Sequence, residues 1–137
     1  MEVSVHHVAI SVTHLEKSKD FYEKFGFEEK LTWESPDKSL IICQLMLNGI
    51  CLEIFKYENY QEMPLTAKEL DTDLPRIGVK HFGLTVNSIE EMNEILIEQG
   101  IVSEKQQIIT GRTGVRYFFI KDPDGLLLEI VEDKRNL

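Results

Sequence analysis

Two histidines and two glutamates stand in apolar, strand-like surroundings at matched places in this 137-residue chain: His7, Glu53, His81 and Glu129. Glu53 lies within Leu52-Glu53-Ile54 and Glu129 within Leu128-Glu129-Ile130. An ionised carboxylate among apolar neighbours needs a partner, because burying an unpaired charge is costly. Two carboxylates and two imidazoles meet that need if they share a divalent cation. Oxygen and nitrogen donors in that mixture suit Zn²⁺, Ni²⁺, Mn²⁺ or Fe²⁺ better than Ca²⁺. Taken singly, a strand histidine is more often a satisfied core or surface residue, and a strand glutamate an ion pair or an edge gatekeeper. The repetition of the pair is what favours a metal.

Laid against itself at a constant offset, the chain sets His7 on His81, Val12 on Val86, Glu16 on Glu90 and Gly26 on Gly100. After a two-residue insertion in the second half, Asn48-Gly49 falls on Asp124-Gly125 and Leu52-Glu53-Ile54 on Leu128-Glu129-Ile130. An ordered set of such matches marks an internal duplication.

The elements that must position these residues read alike in both halves. A short strand (5–12; 80–86) leads to a helix start, with Thr13 and Glu16 fitting a capping box and Asn87 with Glu90 a variant of it. Apolar residues then follow at helical spacing: Leu15, Phe21, Tyr22 and Phe25, later Ile89, Met92, Ile95 and Leu96. Gly26 and Gly100 stand where a left-handed helix end is wanted. Three strands complete each half: 27–33, 40–47 and 50–55, then 101–109, 115–121 and 126–131. Asn48-Gly49 is a strong two-residue hairpin signal, and Pro123-Asp124-Gly125 reads as a three-residue turn. Residues 57–78, acidic and carrying Pro64 and Pro75, form the connector, with a short helix predicted over 66–70.

Strand alternation converts these positions into faces. His7, Ala9 and Ser11 share one face, and His81, Gly83 and Thr85 its counterpart. The opposite faces are greasy and pack under the helices. Glu53 and Glu129 belong to the closing strands. A two-residue turn at Asn48-Gly49 sets Gln44 across from Glu53, within hydrogen-bond reach. A three-residue turn in the second half puts Tyr117 and Phe119 on the face of Glu129. Trp33 is a candidate for the mouth of the pocket. His6 falls on the face opposite His7 and reads as structural, and His14 as solvated. Arg112 and Arg116 flank a flexible loop and are candidate anion anchors.

Composition limits the partners. The net charge of −9 argues against nucleic acid, and 42% hydrophobic with 28% charged residues reads as globular. No run of apolar residues is long enough for a membrane span. The first residues lack the marks of a secretory signal, so a cytoplasmic protein is expected. Cys43 and Cys51, both in apolar runs, read as buried reduced thiols.

The blocks His7-Val8-Ala9-Ile10, Phe21-Tyr22-Glu23-Lys24-Phe25-Gly26-Phe27, Leu52-Glu53-Ile54, His81-Phe82-Gly83-Leu84-Thr85-Val86 and Asp122-Pro123-Asp124-Gly125-Leu126-Leu127-Leu128-Glu129 resemble the vicinal oxygen chelate superfamily. That superfamily includes glyoxalase I, bleomycin-resistance proteins, fosfomycin-resistance transferases, methylmalonyl-CoA epimerase and extradiol dioxygenases. The resemblance covers nearly the whole chain. It implies an α+β fold of two tandem βαβββ modules forming a cup-shaped mixed sheet, with module one over about 1–56, a linker at 57–78 and module two over about 79–132. It implies metal ligands at His7, Glu53, His81 and Glu129. That two-His, two-Glu set looks most like glyoxalase I. The activity implied is a metal-dependent lyase or isomerase that stabilises an enediolate on a small dicarbonyl-derived substrate, a thiol adduct among the options. Glu129 is then the base, with Glu53 almost as eligible. A homodimer is implied as well. Ser11 stands where several bacterial glyoxalase I enzymes carry an arginine that helps to hold glutathione, which leaves the thiol open. The alternatives are another metal-dependent activity of the same fold (thiol transferase, epimerase or dioxygenase) or a non-catalytic small-molecule binding protein.

Overall fold

Asn48 and Gly49 both take positive φ (48° and 84°), the backbone of a tight hairpin turn, and so β3 (Leu40–Leu47) folds directly back on β4 (Ile50–Tyr57). Around that hairpin the first sheet assembles in the order β1-β4-β3-β2, where β1 is His7–Ser11 and β2 is Glu28–Glu34. β1 runs parallel to β4, and the other pairings are antiparallel. The second sheet repeats the order as β5-β8-β7-β6, with β5 Phe82–Thr85, β6 Ile109–Thr110, β7 Arg116–Lys121 and β8 Leu127–Glu132. β5 is parallel to β8. The chain is therefore α+β, with two mixed four-stranded sheets. This description comes from a computed structural model covering residues 1–137.

Two compact units result, Met1–Glu62 and Met63–Leu137. Residues 63–78, read as connector, belong to the second unit. They form a 3-10 turn at Leu65–Ala67 and the short helix α2 (Leu70–Asp73). Asp73 is buried there and is held by Arg76 at 2.9 Å and Lys80 at 3.5 Å. No helix is long and apolar enough to cross a membrane.

In the first unit the helix α1 (Leu15–Glu23) buries Leu15, Ser18, Phe21 and Tyr22. Tyr22 is fully inaccessible and lies edge-on to Phe21 and Phe27. Cys43, Leu45, Leu52 and Ile54 are buried with them. In the second unit the helix α3 (Ile89–Glu98) contributes Ile89 and Leu96, and the strands Phe118, Ile120, Leu128 and Ile130. Both cysteines are free and buried, and desolvation pushes both thiols above their ordinary value.

Both helix starts lie one residue beyond the sequence expectation. His14, not Thr13, caps α1, its Nδ1 accepting from the Lys17 amide at 3.4 Å, so it is more than a solvated side chain. Ser88, not Asn87, caps α3 by accepting from the Glu91 amide at 3.3 Å. Ser88-x-x-Glu91 is itself a capping-box spacing, shifted by one from the one read in the sequence. Gly26 and Gly100 end their helices with positive φ as expected.

The largest departure concerns β6, predicted as a strand over 101–109 but only two residues long. The cause is Asn93, buried on α3. Its amide nitrogen donates to the Gln106 carbonyl and its oxygen accepts from the Gln106 amide, both at 2.8 Å. A backbone unit so satisfied is not available to pair with β7. At the repeat-equivalent position in α1 stands Lys19, which pairs instead with Glu29 of β2 at 2.5 Å. There β2 pairs with β3 from Glu28 to Glu34.

Glu132, buried at the end of β8, ties α3 to the sheet. It accepts from the Ile89 amide at 3.1 Å and pairs with Arg116 and Lys134, each at 3.0 Å. The Lys134 contact, the Ile89 amide and Arg116 together hold its carboxyl down at about 2. Since its ordinary value is higher, Glu132 contributes stability that is fully present above pH ~4.5 and lost as pH falls toward 2. Glu132→Gln should therefore flatten the loss of urea-unfolding midpoint between pH 5 and 2.5; an unchanged acid limb would remove Glu132 from the account.

Candidate functional site

In the first unit the ladder between β1 and β4 sets Ala9 opposite Glu53 and His7 opposite Cys51. Alternation then places His7, Ala9, Ser11 and Glu53 on one face of the sheet. His7, Ala9 and Ser11 are exposed on it, while Val8 and Ile10 behind them are half-buried. The two-residue turn sets Gln44 opposite Glu53 as the sequence predicted, and Gln44 Nε2 donates to Glu53 Oε2 at 2.7 Å. Trp33 pairs with Ile42, which pairs with Phe55, so it shares this face, 46% exposed. His6 differs from expectation: it is exposed, and its Nδ1 lies 2.9 Å from Nδ1 of His7, the two rings edge-on. Only the adjacency of two histidines signalled that contact in the sequence.

The second unit repeats the device. Gly83 stands opposite Glu129, and His81 directly precedes β5. Here histidine and carboxylate touch: His81 Nε2 is 3.1 Å from Glu129 Oε2, with side chains 18% and 20% exposed. Phe119 lies opposite Glu129 and edge-on to the His81 ring, centroids 4.7 Å apart, with Tyr117 edge-on to Phe119 in turn. The three-residue turn responsible for this register has Gly125 at φ 84° and is braced by Asp122 Oδ1, which accepts from the amides of Asp124 and Leu126 at 2.9 Å.

The arginines divide. Arg116 is engaged with Glu90 and with Glu132, so it does not serve as a free anion anchor. Arg112 is exposed in the turn between β6 and β7.

The donors of the second unit fit a divalent cation. A separation of 3.1 Å between His81 Nε2 and Glu129 Oε2 is less than twice the ~2.1 Å donor distance of bound Zn²⁺, so one ion is within reach of both. His81 Nδ1 is buried and has no hydrogen-bond partner, the kind of polar orphan that a folded chain seldom tolerates without a role. Within each unit no three His, Cys, Asp or Glu side chains form a group by themselves. The structure brings together His81 with Glu129 in the second unit and Gln44 with Glu53 in the first.

Beside β7 lies a recess of about 460 Å³ that the sequence did not announce, lined chiefly by Leu70, Ile101, Val102, Phe119 and Leu127, with Glu69 and Lys121 also on its walls.

Comparison with known proteins gives a consistent result. The sequence model of the Glyoxalase/Bleomycin resistance protein/Dioxygenase superfamily matches residues 4–130. The uncharacterized protein YwkD of Bacillus subtilis is 34% identical over 132 residues, covering 94% of this chain and 96% of its own length. The crystal structure of a glyoxalase family protein from Enterococcus faecalis is 36% identical, with a TM-score of 0.78, covering 94% of this chain and 97% of that one. The trypanothione-dependent glyoxalase I of Leishmania major shares the fold at a TM-score of 0.67 and 18% identity, covering 97% and 88%.

Proposed function

Because this chain belongs to the Glyoxalase/Bleomycin resistance protein/Dioxygenase superfamily, we propose that His7, Glu53, His81 and Glu129 hold one divalent cation and that the protein is a lyase or isomerase of the glyoxalase I kind. The substrate class is a small molecule with two adjacent oxygens, derived from a dicarbonyl. The four ligands come from one chain or from two copies, and a homodimer is part of the proposal.

The observation that carries this reading is the doubled histidine–glutamate arrangement: in each unit both residues lie on one sheet face, on or beside strands paired in parallel. The 3.1 Å contact between His81 and Glu129 is its clearest instance. A cation held there supplies Lewis acidity to two adjacent oxygens of the substrate. The protein supplies the rest. Glu129 moves the proton between neighbouring carbons as general base and then acid. Glu53 is eligible for the same task, but its Oε2 already accepts from Gln44, which fixes the carboxylate in place. Phe119 and Tyr117 form an aromatic wall beside His81 and limit water.

The second reading is a non-catalytic small-molecule binding protein, a class that the superfamily includes through its bleomycin-resistance members. Elemental analysis of the purified protein, with thermal shift on adding Ni²⁺ or Zn²⁺ after chelator treatment, separates the two. Near-stoichiometric metal and a raised Tm support the enzyme; neither supports the binding module. Methylglyoxal assayed with a panel of thiols then identifies the activity.

Gln44→Leu tests the support given to Glu53. Loss of the amide should weaken cation affinity by about 10- to 100-fold, read by competition with a chromophoric chelator. Undiminished affinity would show that Gln44 has no part in the centre.

A further inference from the structure

We propose that His6 is a positioning residue for the cation centre: its Nδ1 accepts a hydrogen bond from Nδ1–H of His7, which orients the His7 ring and leaves Nε2 of His7 to hold the ion. The inference deepens the metal-centre reading above and rests on it.

His7 opens β1 with its side chain exposed, where an imidazole has several rotamers open to it. The hydrogen bond and the ring contact that hold it are both with His6. The two Nδ1 atoms lie 2.9 Å apart, and the rings meet edge-on at 85° with centroids 5.1 Å apart. A hydrogen bond between two neutral imidazoles needs one N–H and one lone pair. Either ring can donate, but the two forms differ in what they leave at His7. When His6 donates, His7 carries its own proton on Nε2, and that nitrogen cannot bind an ion. When His7 donates, its Nε2 lone pair is open. Only the second form offers a cation a His7 nitrogen without breaking the contact.

The second unit supplies the contrast. There the nitrogen beside the carboxylate is Nε2, at 3.1 Å from Glu129, so the assignment gives both units the same ligating atom. At the offset that sets His7 on His81, His6 falls on Lys80. Lys80 is drawn off to the Asp73 carbonyl, to which its Nζ donates at 2.7 Å, and an ammonium has no lone pair to offer an imidazole N–H. His81 Nδ1 accordingly has no partner. Its ring is held by packing instead: Phe119, opposite Glu129 in the ladder, lies edge-on to it with centroids 4.7 Å apart. In the first unit the residue opposite Glu53 is Gln44, whose amide is engaged by that carboxylate, so no ring stands at the matching place. Each histidine is thus oriented by one neighbour, an aromatic ring for His81 and a hydrogen bond for His7. Outer partners that accept from a ligating imidazole fix its tautomer and direction and raise its basicity.

The test uses the full chain, stripped with a chelator and then titrated with Ni²⁺ against a chromophoric competitor. The pH is set well above the ordinary histidine value, so that the rings are neutral. His6→Leu should weaken Ni²⁺ binding by about tenfold, the lower end of the range for such outer partners, because the pair is exposed. His6→Asn should recover most of that loss, since Oδ1 of Asn stands as many bonds from the backbone as Nδ1 of His and accepts in its place. A second readout needs no metal. Long-range proton–nitrogen NMR spectra of the stripped chain, with four histidines to assign, report which ring nitrogen carries the proton. His7 should be protonated on Nδ1 in the parent and in His6→Asn, and mainly on Nε2, the form that a free imidazole side chain prefers in water, in His6→Leu. Unchanged Ni²⁺ affinity in His6→Leu, or a parent His7 protonated on Nε2, overturns the positioning role and leaves the metal centre standing. Failure of His6→Asn to recover affinity also overturns it and marks His6 as a ligand itself. A parent chain that takes up no Ni²⁺ overturns the metal centre and the positioning role together.

Discussion

Glu129→Gln is expected to lower turnover by about 100- to 10,000-fold, the range in which a positioned general base contributes, while the fold survives. The substitution keeps the size of the side chain and a hydrogen-bonding oxygen 3.1 Å from His81, but removes the charge and the ability to take a proton. Ile130 and Leu128, its neighbours on β8, are buried and do not depend on it. Circular dichroism and Tm should therefore match the parent, with the loss confined to kcat and to cation affinity. Glu53→Gln should also remove activity. Its carboxylate is held by Gln44, so its loss should appear more in cation affinity than in the chemical step. Undiminished activity in both variants would end the proton-transfer mechanism proposed here.

Tyr22→Ala should be the most destabilising single change in the first unit, at about 3–5 kcal/mol. Tyr22 is fully buried on α1, with rings of Phe21 at 5.0 Å and Phe27 at 6.0 Å. Removing it opens a cavity that backbone relaxation fills poorly. Against the 5–15 kcal/mol typical of whole domains, this is a large fraction. A drop in Tm of more than about 10 °C in a calorimetric scan is the expected reading. A drop of only a degree or two would show that the aromatic cluster is not what holds α1 in place.

These two predictions draw on different kinds of information. The chemistry proposed for Glu129 follows from residue types and spacing: its repetition with Glu53 and the matched histidines were plain in the chain. The register that pairs Gln44 with Glu53 was also legible, because Asn-Gly dictates a two-residue turn and the strand period does the rest. β3 falls on 40–47 as the alternation predicts. Family membership rests on the same residues.

Other features could not be read locally. The helix caps shifted by one residue, because neighbouring polar residues compete for the same free amides and tertiary placement selects among them. Arg116 reads as a loop arginine until Glu90 and Glu132 are seen on either side of it. Asn93 gives no signal in the helical spacing, yet it is buried and holds the Gln106 backbone away from β7.

By itself, then, the sequence determined the duplication, the registers of the β3–β4 and β7–β8 hairpins, and the face on which two histidines and two glutamates lie. Each depends on short-range periodicity and turn chemistry, which act over a few residues. Only the tertiary structure decided which other polar groups find one another across the chain: Asn93 with Gln106, and Glu132 with the start of α3. Those partnerships join residues 13 and 43 positions apart, a range at which no local preference operates. They also fix where the backbone is drawn aside.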